Sequence, residues 1–393
     1  MKILLVGDGN SQFIQDFSKW LKIASNNTIQ IDVFSILEIS EITDTSNYDH
    51  FTATTYNTLS ISKLKFIGHQ LWDIYLNREL INYLKHKGFS YDIINFHWIR
   101  SAWIINTKEY KKYCKYIVTV FWGAEWRLNK LFFSNQIYRI KLKKLLAVSD
   151  KIILDTTDME NEIIKLGTDK SKLAYATLGS TPLAKLEEIM GSISCENSKI
   201  ELGLDPTRIS VIIGYSGKPL HNHLEIIRTL NASFKNNQEI INKVELVVPM
   251  TYGCNARYQD TVEFELEKSS FKYKVFRQDM DEDKVAKFRI ATDIFLQLSS
   301  SDARSLCVVE NFIASNIIIS ASWLPYFDFK NEGLFFYEVD SIAEMPQLLN
   351  KVIAEFSETQ KLFLNNKCLL NGKQKWDNVI GKWVQIFEDL MKN

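Results

Sequence analysis

Asp302 and Glu310 stand eight residues apart in Gln297–Ala321, a stretch that reads as strand, polar turn, helix and strand. Ile294, Leu296 and Leu298 recur at every second position, and Ser299 to Asp302 break the run. Leu306, Val309, Ile313 and Ala314 then follow at helical spacing, ahead of the apolar Ile317 to Ile319. A Ser/Asp cluster at a helix start is expected to cap it and leave backbone N–H groups pointing into the loop, where they attract an anion such as a pyrophosphate. The rise of a helix would separate the two carboxylates by roughly 12 Å along the axis. That span suits a nucleotide sugar, with one carboxylate at the sugar, the N–H groups at the phosphates and the other at the ribose. The same residues equally describe a capped helix carrying a solvated glutamate, and this stretch alone leaves both readings open.

Other residues carry chemistry at strand ends. Ile212-Ile213-Gly214-Tyr215-Ser216-Gly217-Lys218-Pro219-Leu220-His221-Asn222-His223 offers two glycines, a serine and a lysine after a strand, a set able to cradle phosphate through backbone N–H groups and one positive charge. It lacks the spacing of a P-loop. Arg277, after the strand ending at Phe276, is a further cation for phosphates or base, or a surface arginine. Nearer the N-terminus, Asn95-Phe96-His97-Trp98 closes one strand and Phe121-Trp122-Gly123-Ala124-Glu125-Trp126-Arg127 closes the next, which makes His97 and Glu125 candidates for sugar and acceptor chemistry. Gly7-Asp8-Gly9-Asn10 has no third glycine at the fingerprint spacing, so NAD binding is disfavoured.

These residues need an α/β scaffold. Apolar strands such as Lys2–Val6, Tyr91–Phe96, Ile209–Gly214 and Val244–Pro249 alternate with helical patterns, which predicts parallel sheets covered on both faces with ligands at the strands' carboxyl ends. Residues 1–185 read as one domain, the polar 186–207 as a linker and 208–371 as a second domain. The stripe Trp376, Val379, Trp383, Ile386, Phe387 and Leu390 marks 372–393 as an amphipathic helix that docks elsewhere. Residues 40–60 read as loop.

The Asp302/Glu310 pair keeps the Glu, seven residues, Glu spacing of the large retaining glycosyltransferase group with two Rossmann-like domains, with Asp in place of the first Glu. Gly214-x-Ser216-Gly217, Asn222-His223, Val247-Val248-Pro249-Met250-x-Tyr252, Asn255 and Tyr258 resemble the bacterial TDP-fucosamine (4-acetamido-4,6-dideoxygalactose) transferases of enterobacterial common antigen synthesis. Phe121-Trp122-Gly123-Ala124 with Glu125 is similar to that family's first-domain motif. The resemblance implies a GT-B glycosyltransferase with an interdomain cleft and a lipid-linked or glycan acceptor. On this reading the donor site comprises Gly214, Ser216, Gly217, Lys218, Asn222, His223, Met250, Tyr252, Arg277 and Glu310, while His97, Glu125 and Asp302 serve catalysis. No metal or other cofactor is expected, because a helix dipole and a lysine can neutralise the leaving diphosphate. A hexosyltransferase of surface polysaccharide synthesis is the expected activity. A nucleotide-sugar 2-epimerase and a degenerate partner subunit are the alternatives.

Composition narrows the partners. Lys+Arg and Asp+Glu both total 47 in 393 residues, so no global field recruits nucleic acid. Five scattered cysteines without a C-x-x-C pair point to a reducing compartment. The first apolar run, Ile3 to Val6, is too short for a signal-peptide core, and no stretch approaches the ~18 apolar residues of a membrane span. A cytoplasmic protein is expected, peripheral on the inner face of the membrane. From Arg127 to Lys144 six basic residues (Arg127, Lys130, Arg139, Lys141, Lys143, Lys144) interleave with Leu131, Phe132, Phe133, Ile137, Tyr138, Ile140 and Leu142, without an acidic one. The stretch reads as an amphipathic surface for anionic lipid or as a solvated basic helix packed on the sheet.

Overall fold

The computed structural model describes residues 1–38, 44–56, 67–122, 136–253, 255–370 and 372–392. The chain divides into two compact units, Met1–Gly179 with Trp376–Asn393, and Ser180–Lys375.

The first unit is built on seven strands: β1 (Lys2–Gly7), β2 (Gln30–Glu38), β3 (His50–Tyr56), β4 (Tyr91–His97), β5 (Cys114–Val120), β6 (Lys151–Leu154) and β7 (Leu173–Tyr175). They pair in parallel in the order β3-β2-β1-β4-β5-β6-β7. One face of the sheet buries Leu76 and Leu80 of helix Ile67–His86, Trp103, Leu142 and Leu145 of helix Gln136–Val148, and Ile163. The other buries Ile14, Phe17 and Leu21 of helix Gln12–Ala24 against Trp376, Ile380, Trp383 and Phe387 of the C-terminal helix Trp376–Lys392. Trp383 stands edge-on to Phe17 at 4.9 Å between centroids and donates its indole N–H to the Thr177 carbonyl at 2.8 Å. The last helix is thus an integral layer of the unit formed by the first 179 residues.

The second unit has six parallel strands, β8 (Ile209–Ile213), β9 (Val244–Pro249), β10 (Lys272–Phe276), β11 (Ile294–Gln297), β12 (Ile317–Ala321) and β13 (Tyr337–Val339), in the order β10-β9-β8-β11-β12-β13. Both sheets reverse their strand order once, between β1 and β4 and between β8 and β11. In doubly wound sheets such reversals leave the crevice where ligands bind. The segment 186–207, expected as a linker, lies within this unit and carries helix Cys195–Glu201. Its Lys199 is buried, donating to Asp293 Oδ2 and to the Arg208 carbonyl. β3 lies inside the stretch read as loop.

One buried polar cluster ties β2 into the first unit. The wholly buried Asp32 carboxylate accepts from the Tyr91 hydroxyl at 2.7 Å, Lys87 Nζ at 3.2 Å and Gln30 Nε2 at 3.2 Å, and meets His50 Nδ1 at 2.9 Å. Burial pushes its pKa up, but these partners hold it below the ordinary carboxylate value. Asp32→Ala should cost about 3 kcal/mol, because Tyr91 and Lys87 then lose their acceptor inside the fold. Urea denaturation at pH 7 checks this; an unchanged midpoint would show that water replaces the carboxylate.

Candidate functional site

The site assembles at the reversal between β8 and β11. Gly214 follows β8 with φ +65°, a left-handed turn, and its N–H bonds the Leu296 carbonyl of β11 at 3.1 Å. A side chain here would fall 2.8 Å from His221 Cβ, so both conformation and space call for glycine. The turn directs Ser216 inward. Its hydroxyl is buried 2.9 Å from His221 Nε2, and His221 Nδ1 lies 2.8 Å from Ser299 Oγ in the loop after β11.

The network selects one protonation pattern. Ser299 donates to Gln297 Oε1 at 3.0 Å, so its oxygen accepts from His221 Nδ1–H, and the free Nε2 lone pair accepts from Ser216. Burial pushes the His221 pKa down to about 3, consistent with a neutral ring. Gln297 Nε2 donates in turn to Asp302 Oδ2 and to the Tyr326 hydroxyl. One hydrogen-bonded chain therefore runs from the loop after β8 to Asp302.

Asp302 is saturated as an acceptor. Oδ1 receives the Tyr215 hydroxyl at 3.0 Å and the Ala303 N–H at 2.8 Å, while Oδ2 receives Gln297 and the Tyr326 hydroxyl at 2.6 Å. Burial raises its pKa against the pull of these donors. In this conformation the carboxylate organises the loops, and contact with a sugar would require it to exchange one of the four. It also sits in the turn before helix Leu306–Ile313, whose N-cap Ser305 makes no side-chain cap bond. The expected capping cluster is instead spent on tertiary hydrogen bonds.

Glu310 is buried, not solvated. Its Oε1 accepts from Ser180 Oγ at 2.8 Å and its Oε2 from Arg289 Nε at 3.0 Å. Ser180 also caps helix Thr181–Ile189 by accepting from Leu183 N–H. Sequence reasoning missed Arg289. Its only signal is a cation between apolar Phe288 and Ile290, which does not separate a buried arginine from a surface one.

The other expected donor residues occupy distinct places. Gly217 is buried with its N–H on the Tyr252 carbonyl at 2.8 Å. Lys218 is exposed and makes no ion pair among the described residues, and its stem lies across Gly253, where φ +79° and a clash of 2.6 Å exclude a side chain. Asn222, left-handed at φ +57°, donates to the Leu298 carbonyl at 2.7 Å and staples the two loops together. His223 opens helix His223–Phe234, buried, 3.2 Å from the Tyr258 hydroxyl, with its pKa pushed by burial to about 4. Met250 is buried, whereas Tyr252 exposes half of its surface on the same strand edge. Arg277 is turned to the surface, where Glu263 and Asp260 hold it in ion pairs. The cations available to a ligand at this edge thus reduce to Lys218 among the expected residues.

In the first unit, the strand ends place His97 in the core rather than at an open edge. The ring is fully buried beside Phe17, Trp122 and Trp383, Nε2 accepts from Asn95 Nδ2 at 3.0 Å, and Nδ1 has no partner among the described residues. Burial pushes its pKa to about 3, so it is neutral and has no direct path to a substrate in this conformation. Trp98 beside it takes φ +53°, a strained value for an aromatic residue, and stacks on Trp122 at 4.6 Å. Glu125 lies outside the described residues. Among those residues no group of three or more His, Cys, Asp or Glu is placed to hold a metal.

No protein-family model matches the chain, and no curated protein matches its sequence at significance. Solved structures do match its fold. Sucrose-phosphate synthase from Thermosynechococcus elongatus aligns over 100% of this chain and 99% of its own, with a TM-score of 0.75 and 11% identity. Anabaena HepE in complex with UDP-glucose aligns over 100% of both chains with a TM-score of 0.67 and 12% identity. UDP-GlcNAc 2-epimerase from Neisseria meningitidis, bound to UDP-GlcNAc, aligns over 100% of both with a TM-score of 0.61 and 13% identity. At these identities the likeness establishes the architecture: the chain has the GT-B fold, two Rossmann-like units with parallel sheets.

Proposed function

We propose that the protein is a glycosyltransferase that takes a sugar from a nucleotide diphosphate. The observation that carries this reading is the Gly214–Lys218 turn at the β8/β11 reversal, which presents a lysine without an ion pair among the described residues beside the half-exposed Tyr252, on a fold shared with HepE solved with UDP-glucose. In the reaction the bond between the anomeric carbon and the diphosphate oxygen breaks, a bond to the acceptor oxygen forms, and the acceptor proton leaves to a base. Lys218 would offset the charge that grows on the leaving diphosphate, without a metal. Glu310 would hold the ribose through the lone pairs that Ser180 and Arg289 leave free. The motif resemblance supports a finer reading, a hexosyl transfer to a lipid-linked or glycan acceptor in bacterial surface polysaccharide synthesis at the cytoplasmic face of the membrane. Among the described residues no helix is long and apolar enough to cross a membrane.

A thermal-shift screen against UDP, TDP, GDP and CMP tests the reading. One diphosphate should raise the melting temperature, and Lys218→Ala should weaken it tenfold or more, about 1.5–3 kcal/mol for a lost charged hydrogen bond, while the free nucleoside binds almost unchanged. Equal losses for both ligands would remove Lys218 from the phosphates. If no nucleotide binds, the degenerate-subunit alternative, favoured by the saturated Asp302, replaces the enzyme. The likeness to UDP-GlcNAc 2-epimerase supports a second reading, which an assay without acceptor separates: an epimerase isomerises its nucleotide sugar, whereas a transferase leaves the sugar's configuration unchanged.

A further inference from the structure

Helix Gln136–Val148 does not keep its apolar side chains for a membrane. Tyr138, Leu142, Leu145 and Leu146 are spent on the core of the first unit, and Ile140 is its one large apolar side chain left exposed, at 54% among the described residues. Its outer face carries Arg139, Lys141, Lys143 and Lys144, all exposed and without ion pairs among the described residues. Helix Ile67–His86 packs on the same face of the sheet through Leu76, Leu80, Ile81 and Leu84. Both helices pack against the short turn Ser101–Ile104. The outer face of Ile67–His86 has the complementary character, with Leu71, Ile74 and Tyr75 exposed by 53%, 55% and 44% and Arg78 following at helical spacing. The acidic residues of that helix, Asp73 and Glu79, are both partly buried.

We propose that these two outer helix faces form one docking surface for an anionic lipid bilayer, with the apolar contacts supplied by Leu71, Ile74, Tyr75 and Ile140 and the charge by Arg78, Arg139, Lys141, Lys143 and Lys144. Three large apolar side chains at positions i, i+3 and i+4 are costly to leave in water and mark a contact surface. The cations beside them, without ion pairs among the described residues, select the contact. Aliphatic and aromatic side chains next to uncompensated positive charge match the interfacial zone of a membrane carrying anionic headgroups. The lipid-linked acceptor of the proposed function gives the surface a purpose, and the inference rests on that reading only for its biological role.

Vesicle co-sedimentation tests it. Wild-type protein should pellet with vesicles containing phosphatidylglycerol at low salt, remain free of pure phosphatidylcholine vesicles and be released at high salt. The triple variant Lys141→Glu, Lys143→Glu, Lys144→Glu should abolish binding. The double variant Leu71→Ser, Ile74→Ser should weaken it about tenfold or more while keeping the salt dependence. Both should melt at the wild-type temperature and bind nucleotide unchanged, so failure of the donor reading is seen separately. Undiminished vesicle binding by the Leu71/Ile74 variant, or none by the wild type, overturns the proposal. A wild-type dimer dispersed by Leu71→Ser, Ile74→Ser in the absence of vesicle binding also overturns it and assigns the face to a second copy of the chain.

Discussion

Lowering the pH from 7 to 5 should cost the protein several kcal/mol of stability through its buried histidines. His97 and His221 are held neutral with pKa values near 3 and His223 near 4, each by burial. Once unfolded, each imidazole returns to about 6.5. The unfolded chain therefore binds more protons, so stability is full above that value and falls as the pH drops toward the folded pKa. Each group contributes about 1.4 kcal/mol per pH unit below 6.5, or about 2 kcal/mol at pH 5. Two of the three, His221 and His223, belong to the second unit, which should lose about 4 kcal/mol there, a large share of the 5–15 kcal/mol typical of a domain. Urea midpoints at pH 7, 6 and 5, followed by circular dichroism, should fall steeply. His221→Gln and His223→Gln should each flatten the slope even where they lower the midpoint. A midpoint that does not move between pH 7 and 5 would mean that these rings reach water.

The second large effect concerns Glu310. Arg289→Ala should destabilise the second unit by about 3–5 kcal/mol, because it leaves a buried carboxylate without its charge partner. Replacing both partners, Arg289→Met with Glu310→Leu, should recover most of that loss, since a buried pair is often replaceable by apolar side chains of similar volume. The double variant then separates two roles that Glu310→Ala alone confounds. If Glu310 holds a ribose, the double variant folds but binds the nucleoside diphosphate about ten- to a hundredfold more weakly. If it binds like wild type, the carboxylate serves only the fold. The contrast is read by chemical denaturation and calorimetric titration on the same samples.

The sheet strands are legible where apolar runs are buried on both faces, as in Ile3–Val6 and Leu246–Val248, because that pattern has few other uses. Strands β7 and β13, three residues each, and the edge strand His50–Tyr56, with its threonines, carry no such pattern and escaped notice. At the site the sequence shows which residue types follow each strand but not which way they turn. A left-handed Gly214 sends Ser216 inward to His221, a ring that Ser299 holds from 78 residues further on, and enclosure by Phe17 and Trp383 removes His97 from the edge. For Arg277 the sequence leaves a ligand cation and a surface arginine open, and Asp260 and Glu263 pair with it at the surface from the preceding helix. The exchange of roles between Arg277 and Arg289, surface and interior, turns on tertiary packing that composition does not encode.

The C-terminal helix has a consequence for biogenesis. Ile14, Phe17 and Leu21 cannot be covered until Trp376–Lys392 has left the ribosome, more than two hundred residues after the seven-strand sheet was completed at Tyr175. The second unit is contiguous from Ser180 to Lys375 and has all of its own core in hand before then. Synthesis therefore runs opposite to maturation. The part made first waits longest with an apolar sheet face uncovered, and chains interrupted anywhere before Trp376 carry that face to chaperones, proteases or each other.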